Sequence, residues 1–165
     1  MILAYVGVGS NIEPCKHSEV AVSELSKLGC HLKVSTIYQC DALGFDGQPF
    51  YNFVVELQTE LSLSEFSRRL REIEFDWGRK RDSEKFQDRT LDLDLILFGE
   101  EISEHDPQIP RIDIYKYPFV IQPLYELCPD KIIPSDSKSI RQVWQNSDQL
   151  DSLKPVELWF DIYQA

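Results

Sequence analysis

The chain has 165 residues, 42% of them hydrophobic, and 28 acids against 17 lysines and arginines give it a formal charge of −11. That length suits one domain, 1–165, with a substantial core, and the acid excess argues against nucleic acid or an anionic membrane as the main partner, because both need an extended basic surface. Cys15, Cys30, Cys40 and Cys128 form no C-x-x-C pair and no zinc spacing, and no signal peptide or span is visible, so the expectation is a cytoplasmic protein with reduced thiols.

Ile2 to Val8 reads as a buried strand, with Gly7-Val8-Gly9-Ser10-Asn11 as the turn that ends it. Ile12 stands where a dinucleotide fingerprint would need its third glycine, which excludes a Rossmann reading. From Pro14 to Leu28 the apolar spacing of Val22, Leu25 and Leu28 predicts a helix stopped by Gly29. Leu32 to Tyr38 alternates as a second strand. A turn-rich loop, Cys40 to Pro49, leads to a third strand, Phe50 to Leu57, with Phe50, Asn52, Val54 and Glu56 on one face. Asn52 beside an aromatic suits recognition of a heterocycle edge, or else a local backbone cap.

Ser62 and Glu65 form a capping box, and Phe66, Leu70, Ile73 and Trp77 make an amphipathic helix that ends at Gly78. Between Arg68 and Arg89 stand eight bases and six acids, a local balance of +2 in an acidic chain. Residues 79–88 hold almost no aliphatic side chain, which predicts a charged loop: either simply solvated or a lid over phosphates. In the strand that follows, Thr90, Asp92, Asp94 and Ile96 should line one face, with Leu91, Leu93, Leu95 and Leu97 facing the core. Two aspartates on one strand face repel; either this is a half-exposed strand whose polar face carries them, or a shared cation answers that repulsion. Beside arginines they suit magnesium held together with a polyphosphate.

After Gly99 come Ile109-Pro110-Arg111-Ile112-Asp113 and Tyr115 to Phe119, a short helix from Val120 to Leu127, a helical stretch from Ser139 to Trp144, and a final strand from Val156 to Tyr163. Interleaved helices and short strand connections predict an α+β fold, a mainly antiparallel sheet with packed helices.

Read together, these segments resemble the 6-hydroxymethyl-7,8-dihydropterin pyrophosphokinase family. The shared residues run through nearly the whole chain: Gly9-Ser10-Asn11, Leu43-Gly44, Gln48-Pro49 with Asn52, Gly78-Arg79, Arg89-Thr90-Leu91-Asp92-Leu93-Asp94, Leu97-Phe98-Gly99, Ile109-Pro110, and Phe119 with Pro123-Leu124. The resemblance implies a ferredoxin-like monomer that transfers pyrophosphate from ATP to the hydroxymethyl oxygen of the dihydropterin, releasing AMP for folate synthesis. Two magnesium ions would sit on Asp92 and Asp94. Leu43, Phe50, Asn52 and Phe119 would hold the pterin, the two rings stacking on its faces. Arg79, Arg81, Arg89 and Arg111 would meet ATP, with Arg81 and Arg89 at the reacting phosphates.

The departures cluster in that region. Cys40-Asp41-Ala42 stands where the family usually carries Thr-x-Pro, Phe86-Gln87-Asp88 replaces Trp-Gly-Pro, Arg111-Ile112 replaces His-Tyr, and Tyr117-Pro118 replaces Arg-Gly. Two alternatives follow: a weakened paralogue that binds pterin without turnover, and an enzyme for a different pterin. An RNA-binding module is disfavoured by the acid balance and by aspartates where such sheets carry stacking aromatics.

Overall fold

In the computed structural model, which describes residues 1–41, 47–78 and 90–161, the elements run β1 (Ile2–Ser10), α1 (Pro14–Ser26), β2 (Cys30–Val34), β3 (Ile37–Cys40), β4 (Phe50–Thr59), α2 (Leu63–Asp76), β5 (Asp92–Phe98), α3 (Pro118–Leu127), α4 (Ile140–Gln145) and β6 (Lys154–Val156), with a 3₁₀ turn over Ile112–Tyr115. The sheet order is β5-β1-β4-β3-β6, with β2 also pairing β4, and every pairing is antiparallel. The expected α+β architecture is what the chain adopts.

Each face of the sheet has its own core. Ala4, Val6 and Val8 of β1 join Phe53, Val55 and Leu57 of β4 and Leu93 and Leu95 of β5 beneath α1 and α2. Tyr5, Val54, Ile96 and Leu97 face the opposite way and pack with Ile114, Val120, Ile121 and Leu124 and with Ile140 and Val143 of α4. A fully buried side chain of this size contributes about 1.5–3 kcal/mol. The second core covers one end of its face.

Several features differ from the sequence expectation. β1 runs to Ser10, so Gly7 and Gly9 lie inside the strand, opposite Val54 and Asn52, rather than in a turn. The strand expected from Leu32 to Tyr38 breaks in two. At the break Ser35 N still donates to the Val54 carbonyl at 3.0 Å, but Val54 N donates to Ser35 Oγ at 2.9 Å and Thr36 N to Glu126 Oε1 of α3 at 2.9 Å, so side chains take over part of the ladder. On β5 the alternation slips. Tyr5 pairs with Leu97 and Val6 with Leu95, leaving Ile96 as an extra residue, and Leu97 therefore turns to the second core instead of the first. The last strand among the described residues is Lys154–Val156, and of the expected Val156 to Tyr163 the residues 157–161 are not strand while 162 and 163 lie outside the described residues; Trp159 packs its ring on Tyr51 with centroids 5.9 Å apart.

The helix α2 follows expectation. Ser62 accepts from Glu65 N, and Gly78 takes φ 106°, a left-handed conformation that stops the helix and that glycine adopts without strain.

Candidate active site

Along the second face from that core, β1 carries glycine. A Cβ built on Gly9 would lie 3.0 Å from Asn52 Oδ1, 3.8 Å from Phe50 Cδ1 and 3.9 Å from Asp92 Cβ. Gly9 is thus the floor on which a ring and an amide from β4 and a carboxylate from β5 converge. Alternation on β4 puts Phe50 and Asn52 on this face, and pairing with β1 sets Asp92 opposite Gly9 and Asp94 opposite Gly7. Ile96 Cδ1 fills the space over Gly7, 3.1 Å from where a Cβ would be. The two glycines were readable as turn formers; their actual role is to let side chains from neighbouring strands cross the central one.

Two contacts fix the edge strand that bears the aspartates. The carboxylate of buried Glu74, in the last turn of α2, accepts from Leu93 N at 2.8 Å. Arg111 N donates to the carbonyl of the extra residue Ile96 at 3.0 Å. The second contact brings the Arg111 side chain to the acidic pair: Nη2 stands 3.5 Å from Asp94 Oδ1, while Nε donates to Asp113 Oδ2 at 3.0 Å. Burial works against the charged guanidinium, yet Asp94, Asp113 and Asp92 together outweigh it and hold the Arg111 pKa above its ordinary value. Arg111 stays charged.

Phe119, at the start of α3, is half-buried and packs against the cluster that contains Val54 and Ile96, the residues next along this face from Asn52 and Asp94. Tyr117 stacks on it. Cys40 ends β3 opposite Phe50. Burial pushes its thiol pKa up, and a hydrogen bond with Asn52 partly offsets that. The departure at Cys40 therefore reaches the predicted recognition residue directly.

Of the predicted site residues, Phe50, Asn52 and Asp92 meet over Gly9, Asp94 follows along the same strand with Arg111 against it, and Phe119 lies on the same side of the sheet. Leu43, Arg79, Arg81 and Arg89 lie outside the described residues. Asp113 was not among the predicted residues, and its only sequence signal is a carboxylate two positions from Arg111. Asn11, quoted as a motif, has a structural use: its amide donates to the Gln48 carbonyl at 3.0 Å, tying the end of β1 to the approach of β4.

An antiparallel sheet with helices on both faces, one of which gathers strand carboxylates, an arginine, an amide and aromatic rings, defines a ferredoxin-like α+β protein with a candidate small-molecule site. The 7,8-dihydro-6-hydroxymethylpterin-pyrophosphokinase (HPPK) family model matches residues 5–129. The chain is 37% identical over 153 residues to the 2-amino-4-hydroxy-6-hydroxymethyldihydropteridine pyrophosphokinase of Haemophilus influenzae, covering 90% of this chain and 95% of that one. With the protein of the same name from Bacillus subtilis the identity is 33% over 159 residues, covering 90% and 94%. The chain belongs to the HPPK family. A crystal structure of HPPK-DHPS in complex with substrates superposes with a TM-score of 0.65 at 12% identity. It covers 88% of this chain and 43% of that one, so this chain spans under half of the HPPK-DHPS chain, and the likeness is one of fold.

Proposed function

We propose that this protein is a pyrophosphokinase that transfers the β,γ-diphosphate of ATP to 6-hydroxymethyl-7,8-dihydropterin, releasing AMP, as a monomer in the cytoplasm. The convergence of Phe50, Asn52 and Asp92 over Gly9 carries this reading, because it sets a heterocycle-reading pair beside a carboxylate. In the reaction the hydroxymethyl oxygen bonds to the β-phosphorus, the bond from that phosphorus to the α-phosphate oxygen breaks, and the hydroxyl proton is lost.

Asn52 offers both a donor and an acceptor to the pterin edge, while Phe50 and Phe119 supply apolar faces for the ring. That grip holds the hydroxymethyl arm toward Asp92 and Asp94, so that much of the catalysis is positioning. The donor set suits magnesium: two carboxylates two residues apart on one strand face are hard oxygen ligands, and a cation there would be completed by water and substrate phosphates. When bound on Asp92 and Asp94, two magnesium ions would neutralise the phosphates and acidify the attacking hydroxyl. Arg79, Arg81, Arg89 and Arg111 are assigned to the nucleotide phosphates.

The test is AMP release from ATP and magnesium with and without the hydroxymethyl pterin. Pterin-dependent AMP supports the reading. Pterin binding without AMP would make the chain a binding paralogue, and turnover only with another pterin would change the acceptor.

A further inference from the structure

Arg111 reaches the acidic pair from a fixed base. Its N–H is held by Ile96 O at 3.0 Å and its carbonyl accepts from Ile114 N at 3.2 Å, so its main chain is tied between the sheet edge and the 3₁₀ turn. The two side-chain contacts are unequal. Charge-assisted N–H···O bonds run at about 2.7–2.9 Å, so the 3.0 Å contact to Asp113 is close to optimal and the 3.5 Å contact to Asp94 is not. The Asp113 side chain is also the less exposed of the two, 19% against 34%, so water screens that pair less.

We propose that Arg111 is a positioning residue with one permanent and one exchangeable partner: pivoting on Asp113, it neutralises Asp94 in the empty site and releases that carboxylate when a divalent cation arrives with a nucleotide, taking a phosphate oxygen instead. This rests on Asp92 and Asp94 being the metal ligands, and adds how the site treats a cation that comes alone. A lone cation must displace a tethered guanidinium that gains nothing in return. A cation carrying polyphosphate offers Arg111 a replacement anion, for which its planar fork is suited. Metal and nucleotide must then strengthen each other's binding by the same factor. The site is thereby selective for the metal–nucleotide complex over the free ion.

The experiment titrates Mn²⁺, followed by electron paramagnetic resonance, into the full-length chain with and without a non-hydrolysable ATP analogue. The variants are Arg111→Gln, Arg111→Lys and Asp92→Asn. Arg111→Gln should bind Mn²⁺ alone about three- to tenfold more tightly than the parent chain, the size of one partly screened ion pair. Arg111→Lys should fall between them, since a point charge cannot pair both carboxylates at once. The analogue should tighten Mn²⁺ binding less in Arg111→Gln than in the parent. Unchanged, weaker or undetectable Mn²⁺ binding by Arg111→Gln overturns the exchange. If Asp92→Asn meanwhile abolishes Mn²⁺ binding in the presence of the analogue, the metal site itself survives that result. Parent-like Mn²⁺ binding by Asp92→Asn would remove the metal assignment and the exchange together.

Discussion

The ring of Tyr117 lies flat against that of Phe119, with centroids 4.9 Å apart and planes within 15° of parallel. One face of Phe119 is therefore already taken by protein. If Phe119 stacks on the pterin, it does so with its other face, as a ring braced from behind.

Phe119→Ala should raise the pterin dissociation constant about tenfold or more, and that for an ATP analogue much less, as expected for a lost stacking face. Tyr117→Leu should have a smaller effect, a few-fold on pterin alone, because it removes the brace and leaves the contact. Fluorescence titration with each ligand separates these cases; equal effects on both ligands would place Phe119 elsewhere.

Asp92→Ala and Asp94→Ala should each lower AMP production about a hundredfold or more, while thermal melting changes little. Removing one of two like charges relieves repulsion in the empty site, and after Asp94→Ala the guanidinium of Arg111 keeps Asp113. A large drop in melting temperature in both variants would give the aspartates a structural role.

Gly9→Ala sets stability against binding. Replacing a strand-interior glycine by alanine ordinarily stabilises by about 0.5–1 kcal/mol. Here the new methyl comes 3.0 Å from Asn52 Oδ1 and must displace the flexible amide. The expected result is near-parental denaturant stability with pterin affinity lowered about tenfold. Parental pterin affinity would show that Asn52 does not read the ligand.

Glu74→Leu leaves the Leu93 amide without its carboxylate and should cost about 1–3 kcal/mol in urea unfolding, with Glu74→Gln recovering part through its amide oxygen. Because the affected amide neighbours Asp92, activity should fall with it. Equal stability of Glu74→Leu and the parent chain would argue against this anchor.

Tyr38 donates its hydroxyl to Glu126, and burial first, then that carboxylate, pushes its pKa up to about 12 from the ordinary 10.0. The folded state keeps the proton where the unfolded chain has lost it. Stability should therefore be fully present below pH 10 and decline as pH rises from there through about 12. Tyr38→Phe should cost about 1–2 kcal/mol at neutral pH and flatten that alkaline decline, as followed by urea unfolding at stepped pH. An unchanged slope would show that Tyr38 is not the group involved.

The helices were legible because their signals are local: the Ser62 cap and Gly78 stop of α2, and the period of Val22, Leu25 and Leu28 in α1. Ser139 marked α4 by position alone, and its reciprocal capping with Gln142 emerged only in the fold. The aspartate strand was legible because charge on an alternating apolar strand conflicts with packing, and such conflicts mark sites. The strand glycines were misread since glycine signals a turn in isolation; only the neighbours across the sheet show which side chains a Cβ would crowd. The contact between Arg111 and Asp94 depends on main-chain docking at Ile96, which no spacing in the sequence reports.

The slip at Ile96 makes β5 two instruments on one string. Ahead of it, the even-numbered residues look onto the substrate side and tolerance to substitution is set by chemistry. Beyond it, Leu97 and Phe98 serve opposite cores and tolerance is set by shape. Deleting Ile96 would close the bulge and leave Asp92, Asp94, Leu97 and Phe98 with their present partners and faces, but it would remove the side chain that fills the space over Gly7 and the carbonyl that holds Arg111. The extra residue thus serves by what it carries, a methyl over one glycine and an acceptor for one arginine, and not by keeping the strand in register.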